Sequence, residues 1–324
     1  MRGVSGDLYA RVMAQVWTCA GLRWVGGAPV LAWGGGRRSA LPWGKQVAFA
    51  VVGGGVRRCV GARGHSCPLA ATVSGRSVGA RCEECARLDR AHSVAADTIA
   101  DDPRPYSVYL AWFGPGMVKV GITAVERGSA RLLEQGAVVF TWLGRGPLMS
   151  ARRSEELLRT ALGVPDRIAY DAKRAVRSTL PEAGVRQAEV RELHARAIGL
   201  DRWPEALARM PFEAVDHAGA FGLDGLAPAV AVVGELAPGG VVRGELVAAA
   251  GPDLHLRTGR GVVVLDTRLM TGWELTAATG PSGAAESSGA GEGERERERG
   301  RERSEWGEIT VPVREFGGVQ DGLF

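Results

Sequence analysis

Four cysteines follow the pattern Cys59-x7-Cys67-x14-Cys82-x2-Cys85. A C-x2-C pair lets two thiolates reach one ion from a tight knuckle, and a second pair closes the tetrahedron that zinc prefers. The first pair is more widely spaced than in common zinc ribbons, so His65 stands as the alternative ligand to Cys67. The surroundings are rich in Gly, Arg and Glu, unlike the apolar strands in which unrelated buried thiols sit. Cys19, far from the cluster, reads as such an ordinary thiol. Four thiolates fill the coordination sphere and leave no position for substrate, so the expected role of the zinc is structural. They also carry a net charge of about −2 with the ion. Arg57, Arg58, Arg63, Arg76, Arg81, Arg87 and Arg90 are close enough in sequence to balance it.

A second constellation can do chemistry. Tyr109 offers a phenol, Lys119 an ammonium, Arg131 a guanidinium and Glu155 a carboxylate. Together they can activate water, stabilise a phosphorane and hold Mg²⁺. In that reading Tyr109 is the general base, Lys119 contacts phosphate, Arg131 stabilises the transition state and Glu155 binds the metal. Tyr109, Arg131 and Glu155 each also have an ordinary explanation: a strand aromatic, a surface helix residue, an i, i+4 partner of Arg159.

The elements that must position these groups follow from turn and cap signals. Ser107 to Phe113 is strand-like, Gly114-Pro115-Gly116 is a turn, and Met117 to Ile122 is a second strand. A helical stretch from Val125 ends at Gly136, a C-terminal cap position. Val138 to Leu143 is another strand, and Ser150 can cap a helix running to Gly163. The order is β-β-α-β-α.

Those residue types, in that order on that topology, resemble the GIY-YIG nuclease superfamily. Tyr109 falls at the tyrosine of the first motif and Val120-Gly121 at the end of the second. Arg131 falls at the helical arginine and Glu155 at the metal-binding glutamate. Lys119 stands where the second motif carries a tyrosine, as in divergent relatives. The resemblance implies a Mg²⁺-dependent endonuclease acting on nucleic acid, with DNA the expected form. The chain as a whole is similar to the bacterial family catalogued as domain of unknown function twenty-seven ninety-seven. The cysteines, Val118-Lys119-Val120-Gly121-Ile122-Thr123 and the string Glu134-Gln135-Gly136-Ala137 carry that similarity, which implies architecture more than activity.

Two further segments suggest partners. Arg167, Lys173, Arg174 and Arg177 fall near one helical face, suited to tracking a nucleic-acid backbone. Asp166 and Asp171 are interspersed, as on an ordinary solvated face. The chain ends Gln320-Asp321-Gly322-Leu323-Phe324, which looks like a bacterial sliding-clamp peptide. Gln320 would bond at the rim of a cleft, and Leu323 and Phe324 would anchor in it. The alternative is that the residues from Trp306 return as a final strand, with Ile309-Thr310-Val311 docked on the core.

The expected architecture is α+β. Small β-modules and the four-cysteine zinc cluster surround a GIY-YIG-like β-β-α-β-α domain, and a disordered tether follows. The boundaries are residues 1–57 (β-rich), 58–95 (zinc segment), 106–210 (α/β domain with helical extension), 226–276 (second β-module), 277–305 (Ser/Gly/Glu/Arg tether) and 306–324 (terminal peptide). The alternating Glu294 to Arg299 run cannot bury a core. A formal charge of +4 is mildly basic, compatible with a polyanionic partner. Arg11 and Gln15 interrupt what would be the apolar core of a signal peptide, and no uncharged run reaches membrane-spanning length. The expected location is the cytoplasm, where an odd number of cysteines argues against a disulfide framework. A non-catalytic nucleic-acid-binding adaptor, recruited through the clamp peptide, is the alternative to the endonuclease. An interaction scaffold linked to nucleic acid only through the clamp is the third reading.

Overall fold

The computed structural model describes residues 15–91, 102–278 and 309–315. The elements in chain order are β1 (Val16–Val25), β2 (Ala28–Trp33), β3 (Arg38–Ala40), β4 (Gln46–Val51), α1 (Glu83–Ala91), β5 (Pro105–Trp112), β6 (Val118–Ala124), α2 (Ala130–Gln135), β7 (Val139–Pro147) and α3 (Leu148–Leu162). They continue with α4 (Tyr170–Val176), α5 (Ala183–Ile198), β8 (Ala208–Arg209), β9 (Val215–Asp216), α6 (Ala218–Phe221), β10 (Ala229–Val233), β11 (Val241–Ala250), β12 (Asp253–Thr258), β13 (Gly261–Asp266), β14 (Glu274–Ala277) and β15 (Val313–Glu315).

The β-regions that composition separates share one ten-stranded sheet, in the order β15-β10-β13-β12-β11-β4-β14-β1-β2-β3. The junction is β4, which pairs antiparallel with β11 on one side and β14 on the other. Its alternation explains this: Val47, Phe49 and Val51 are buried and the residues between them are not. Such a strand gains most by hydrogen-bonding at both edges and burying one face.

The smaller sheet has the order β6-β5-β7-β8, with β9 also on β7. The elements β5, β6, α2, β7 and α3 give the order that the turn and cap residues suggest. Gly136 (φ 71°) and Gly163 (φ 67°) close α2 and α3 in the left-handed region, where glycine is unstrained. Ser150 does not cap α3: β7 runs straight into the helix, which begins at Leu148 after Pro147. The central strand β5 is buried on both faces. Tyr106, Val108, Leu110 and Trp112 join the large core. Tyr109, Ala111 and Phe113 point the other way, into a small core with Leu132, Ala137 and Phe140. Period-two alternation therefore aims the Tyr109 phenol toward α2.

The segment 309–315 returns to the large sheet. Thr310 N–H donates to the Val241 carbonyl at 3.0 Å, and β15 pairs antiparallel with β10. Val311 is buried against Gly240, where a Cβ would collide with it. Strand return, the alternative weighed above for the terminal segment, is thus what residues 309–315 do. Residues 309–315 therefore belong to the large sheet and not to a free terminal peptide. Ala277, assigned to the tether, belongs to β14, and Ala278 N–H donates to the Ala48 carbonyl; the rest of the tether, and Gln320, Leu323 and Phe324, lie outside the described residues. Among the described residues no helix is long and apolar enough to cross a membrane.

Candidate functional site

The four cysteines converge. Their Sγ atoms all lie within 4.8 Å of one another, and those of Cys67 and Cys82 are 3.9 Å apart. A tetrahedral ion with metal–sulfur bonds of about 2.3 Å needs sulfurs about 3.8 Å apart. The Cys59 sulfur accepts from the N–H groups of Gly61 (3.4 Å) and Cys82 (3.2 Å). Gly61, at φ 76°, makes the first knuckle possible; a Cβ there would overlap the His65 carbonyl. Cys82 immediately precedes α1 and Cys85 lies in its first turn. The donor set fits a metal ion. His65 is exposed, and its ring is not among the grouped donors.

Arg57 ties this segment to the sheet. It is 1% exposed and donates to the carbonyls of Ser74, Ser77, Arg268 and Thr271. Its charge is directed inward and is not free for phosphate.

The second constellation also comes together, from four elements: β5, β6, α2 and α3. Gly121 lies directly opposite Tyr109, and any Cβ at that position would strike the phenol oxygen. The glycine is therefore the space through which the Tyr109 hydroxyl reaches α2, where it accepts from Gln135 Nε2 at 3.0 Å. Trp142 packs edge-on to the ring. The Lys119 ammonium is 5.9 Å from the Tyr109 ring centroid and donates to the Asp166 carbonyl at 3.2 Å. Burial pushes Lys119 down to about 8, helped by Arg131 and opposed by Glu155 and Asp166. Burial and the nearby Asp166 push Glu155 up, against Lys119 and Arg152. Arg131, on α2, is half exposed, with Nη1 3.7 Å from the Glu134 carboxylate.

Burial bears on two members of this cluster. Tyr109 is 2% exposed, and burial pushes its phenol up despite hydrogen bonds from Gln135 and Arg131. It is held protonated and is unsuited to be the general base. Lys119 is the cation of this cluster that burial pushes down, to about 8. Sequence reasoning missed Gln135 and Asp166. Gln135 lies in the Glu134-Gln135-Gly136-Ala137 string, but nothing in the sequence aims it at Tyr109.

A family profile described as "Protein of unknown function (DUF2797)" matches residues 44–275. The chain belongs to this family. No curated protein and no solved structure matches it. The matched stretch of the DUF2797 chain spans the cysteines, the polar cluster and most of both sheets.

The basic helical face is the largest correction. Of its four cations only Arg167, at 90% exposed, faces solvent. Arg174 donates from Nε and Nη2 to Asp253 (3.0 and 2.6 Å) and to Asp266 (2.8 Å). Arg177 donates to Asp253 at 2.6 Å and to the Ala250 carbonyl at 3.1 Å. Lys173 is buried over the Phe113 ring and donates to the Gln135 carbonyl. Arg174 and Arg177 join the α4 segment to the large sheet because fully buried Asp253 must be neutralised. Beside them Gly136 and Gly251 bring the end of α2 against the β11–β12 turn, too close for a Cβ without a shift on either side. That contact gives the conspicuous string a structural task as well.

Proposed function

We propose that this DUF2797 chain is a zinc-containing nucleic-acid-processing protein whose polar cluster hydrolyses phosphodiester bonds with Mg²⁺. The observation that carries this reading is the meeting of β5, β6 and α2 at the Tyr109 ring, which lies opposite Gly121, accepts from Gln135 at 3.0 Å and has the Lys119 ammonium 5.9 Å from its centroid, with the order of the elements in support. Zinc is the ion that four thiolates with tetrahedral spacing suit best, and here it holds the segment that Arg57 fastens to the sheet.

In the proposed reaction, neutral Lys119 takes a proton from water. The water oxygen bonds to phosphorus as the ester P–O bond breaks, and the leaving oxygen is protonated by solvent. Arg131 offsets the charge that builds on the phosphoryl oxygens. Tyr109, fixed by Gln135, contributes a hydrogen bond rather than a proton sink. Glu155, with Asp166 nearby, would hold Mg²⁺, which supplies charge neutralisation at the phosphate when bound. The adaptor alternative loses much of its support, since Lys173, Arg174 and Arg177 are turned inward.

The test is Mg²⁺-dependent cleavage of branched, single-stranded and duplex oligonucleotides by the full chain. Glu155→Gln should abolish cleavage while leaving oligonucleotide affinity nearly unchanged, since it removes a metal ligand but no cation. Equal cleavage by Glu155→Gln would remove Glu155 from the site.

A further inference from the structure

A cavity of about 360 Å³ opens where the α/β domain meets the large sheet. Three arginines from three separate parts of the chain line it: Arg23 on β1, Arg131 on α2, and Arg268 just after β13. The carboxylate on its wall, Glu134, already receives Arg127 at 2.7 Å and Arg131 at 3.7 Å. Arg268 is braced from both sides, by Asp266 at 2.6 Å and by the Tyr170 ring at 4.1 Å. Arg23 makes no ion pair with any described residue. Gly251, Pro252 and Thr267 also line it, and the Thr267 hydroxyl donates to the Pro252 carbonyl at 2.7 Å.

Three arginines around a hollow, with one acid already neutralised, match a phosphate in charge and in donor type. The hollow is also continuous with the polar cluster. Arg131 lines the cavity and acts on Tyr109 and Lys119; Gln135 lines it too and donates to the Tyr109 hydroxyl.

We propose that this cavity binds a phosphate group of a nucleic-acid strand through Arg23, Arg131 and Arg268, beside the bond that the polar cluster attacks. The identity of the ligand rests on the phosphodiesterase reading, whereas the charge and shape of the cavity do not. One phosphate chemistry has two sources here, a strand or a free mononucleotide, and the experiment separates them.

Arg23→Gln is the informative variant, because Arg23 braces nothing. Binding of a labelled single-stranded oligonucleotide to the full chain is measured by fluorescence anisotropy across a salt series, in Mg²⁺-free buffer without chelator, so that the thiolate-bound metal stays and no cleavage occurs. Arg38→Gln, the same charge change on the edge strand β3, is the control. Arg23→Gln should weaken binding roughly 10-fold, as expected for one lost charge-assisted contact. It should also reduce the slope of log affinity against log salt by about 0.7. Competition by adenosine monophosphate at concentrations that match the oligonucleotide's phosphate content would keep the phosphate site and assign it to free nucleotide. An undetectable wild-type affinity for both probes would overturn the proposal. So would an Arg23→Gln chain that binds like wild type, or an Arg38→Gln chain that weakens equally. If wild type cleaves and Arg23→Gln binds normally, the phosphodiesterase reading survives without this subsite; if Arg23→Gln weakens binding and no substrate is cleaved, the subsite survives without the reaction.

Discussion

Asp253 is the residue on which the join between the α/β domain and the large sheet depends. Its carboxylate is 0% exposed and receives three charged hydrogen bonds, from Arg174 Nε and Nη2 and from Arg177 Nη1. Asp253→Asn keeps the shape and one acceptor oxygen but leaves buried Arg174 with Asp266 and the exposed Asp171, and removes the one acid that Arg177 pairs with among the described residues. Breaking a buried pair by removing one partner costs about 3–5 kcal/mol, which in a domain this large lowers the melting temperature by on the order of 10 °C. Asp171→Asn is the internal comparison. It removes another Arg174 partner, at 3.0 Å, but one that is 67% exposed, so a shift below about 1 kcal/mol is expected. Burial raises the Asp253 carboxyl, but Arg177 and Arg174 outweigh it and hold the group well below the ordinary carboxylate range. A depressed carboxylate stabilises the fold above its unfolded pKa and loses that contribution as pH falls through the folded one. The difference between wild type and Asp253→Asn should therefore be full at pH 7 and shrink below about pH 4. Thermal melts followed by circular dichroism at pH 7 and pH 3 measure both effects. If Asp253→Asn and Asp171→Asn melt within a degree or so of each other at pH 7, the cluster does not join the two sheets as described.

Further outcomes are expected. Purified protein should carry about one zinc per chain by elemental analysis, and Cys85→Ser should lose both the metal and solubility, because binding energy is folding energy in such segments; a metal-free, stably folded wild type would refute this. Gly121→Ala should drive the phenol from its place and cost roughly 1–3 kcal/mol in chemical denaturation, and an unchanged midpoint would show that Tyr109 lies elsewhere. A synthetic peptide of residues 313–324 should bind a bacterial sliding clamp with micromolar affinity, since few anchors must offset the loss of chain freedom. Binding that survives Leu323→Ala with Phe324→Ala would exclude the terminal motif.

What was legible in the sequence divides along physical lines. The cysteine cluster could be read because metal ligation fixes residue type and spacing within a short stretch. The β-β-α-β-α order could be read because Gly114, Gly116, Gly136 and Gly163 punctuate it locally. The ten-stranded sheet could not, since the pairing of β4 with β11 joins strands nearly two hundred residues apart and alternation does not name a partner. Arg174 and Arg177 looked like a solvated helix face because charges at helical spacing look the same whether their acids are solvent-side neighbours or lie across a domain boundary. Asp253 follows Pro252 in an unremarkable turn, and nothing local marks it as buried. The return of residues 309–315 was foreseen only as an alternative, because a strand of three residues after a low-complexity stretch carries little pattern. The opposite shifts of Tyr109 and Lys119 depend on burial, which residue type alone does not reveal.

The central claim is that Lys119, Arg131 and Glu155 act on a phosphodiester, and single-turnover cleavage across pH 6 to 10 tests it most directly. Because Lys119 titrates near 8, the wild-type rate should rise with pH and level off above that value. Lys119→Arg, which keeps the charge but cannot release a proton in this range, should be slower by on the order of 10²-fold or more. No cleavage of any branched, single-stranded or duplex substrate by wild-type protein, or a Lys119→Arg rate equal to wild type, would contradict the proposed chemistry.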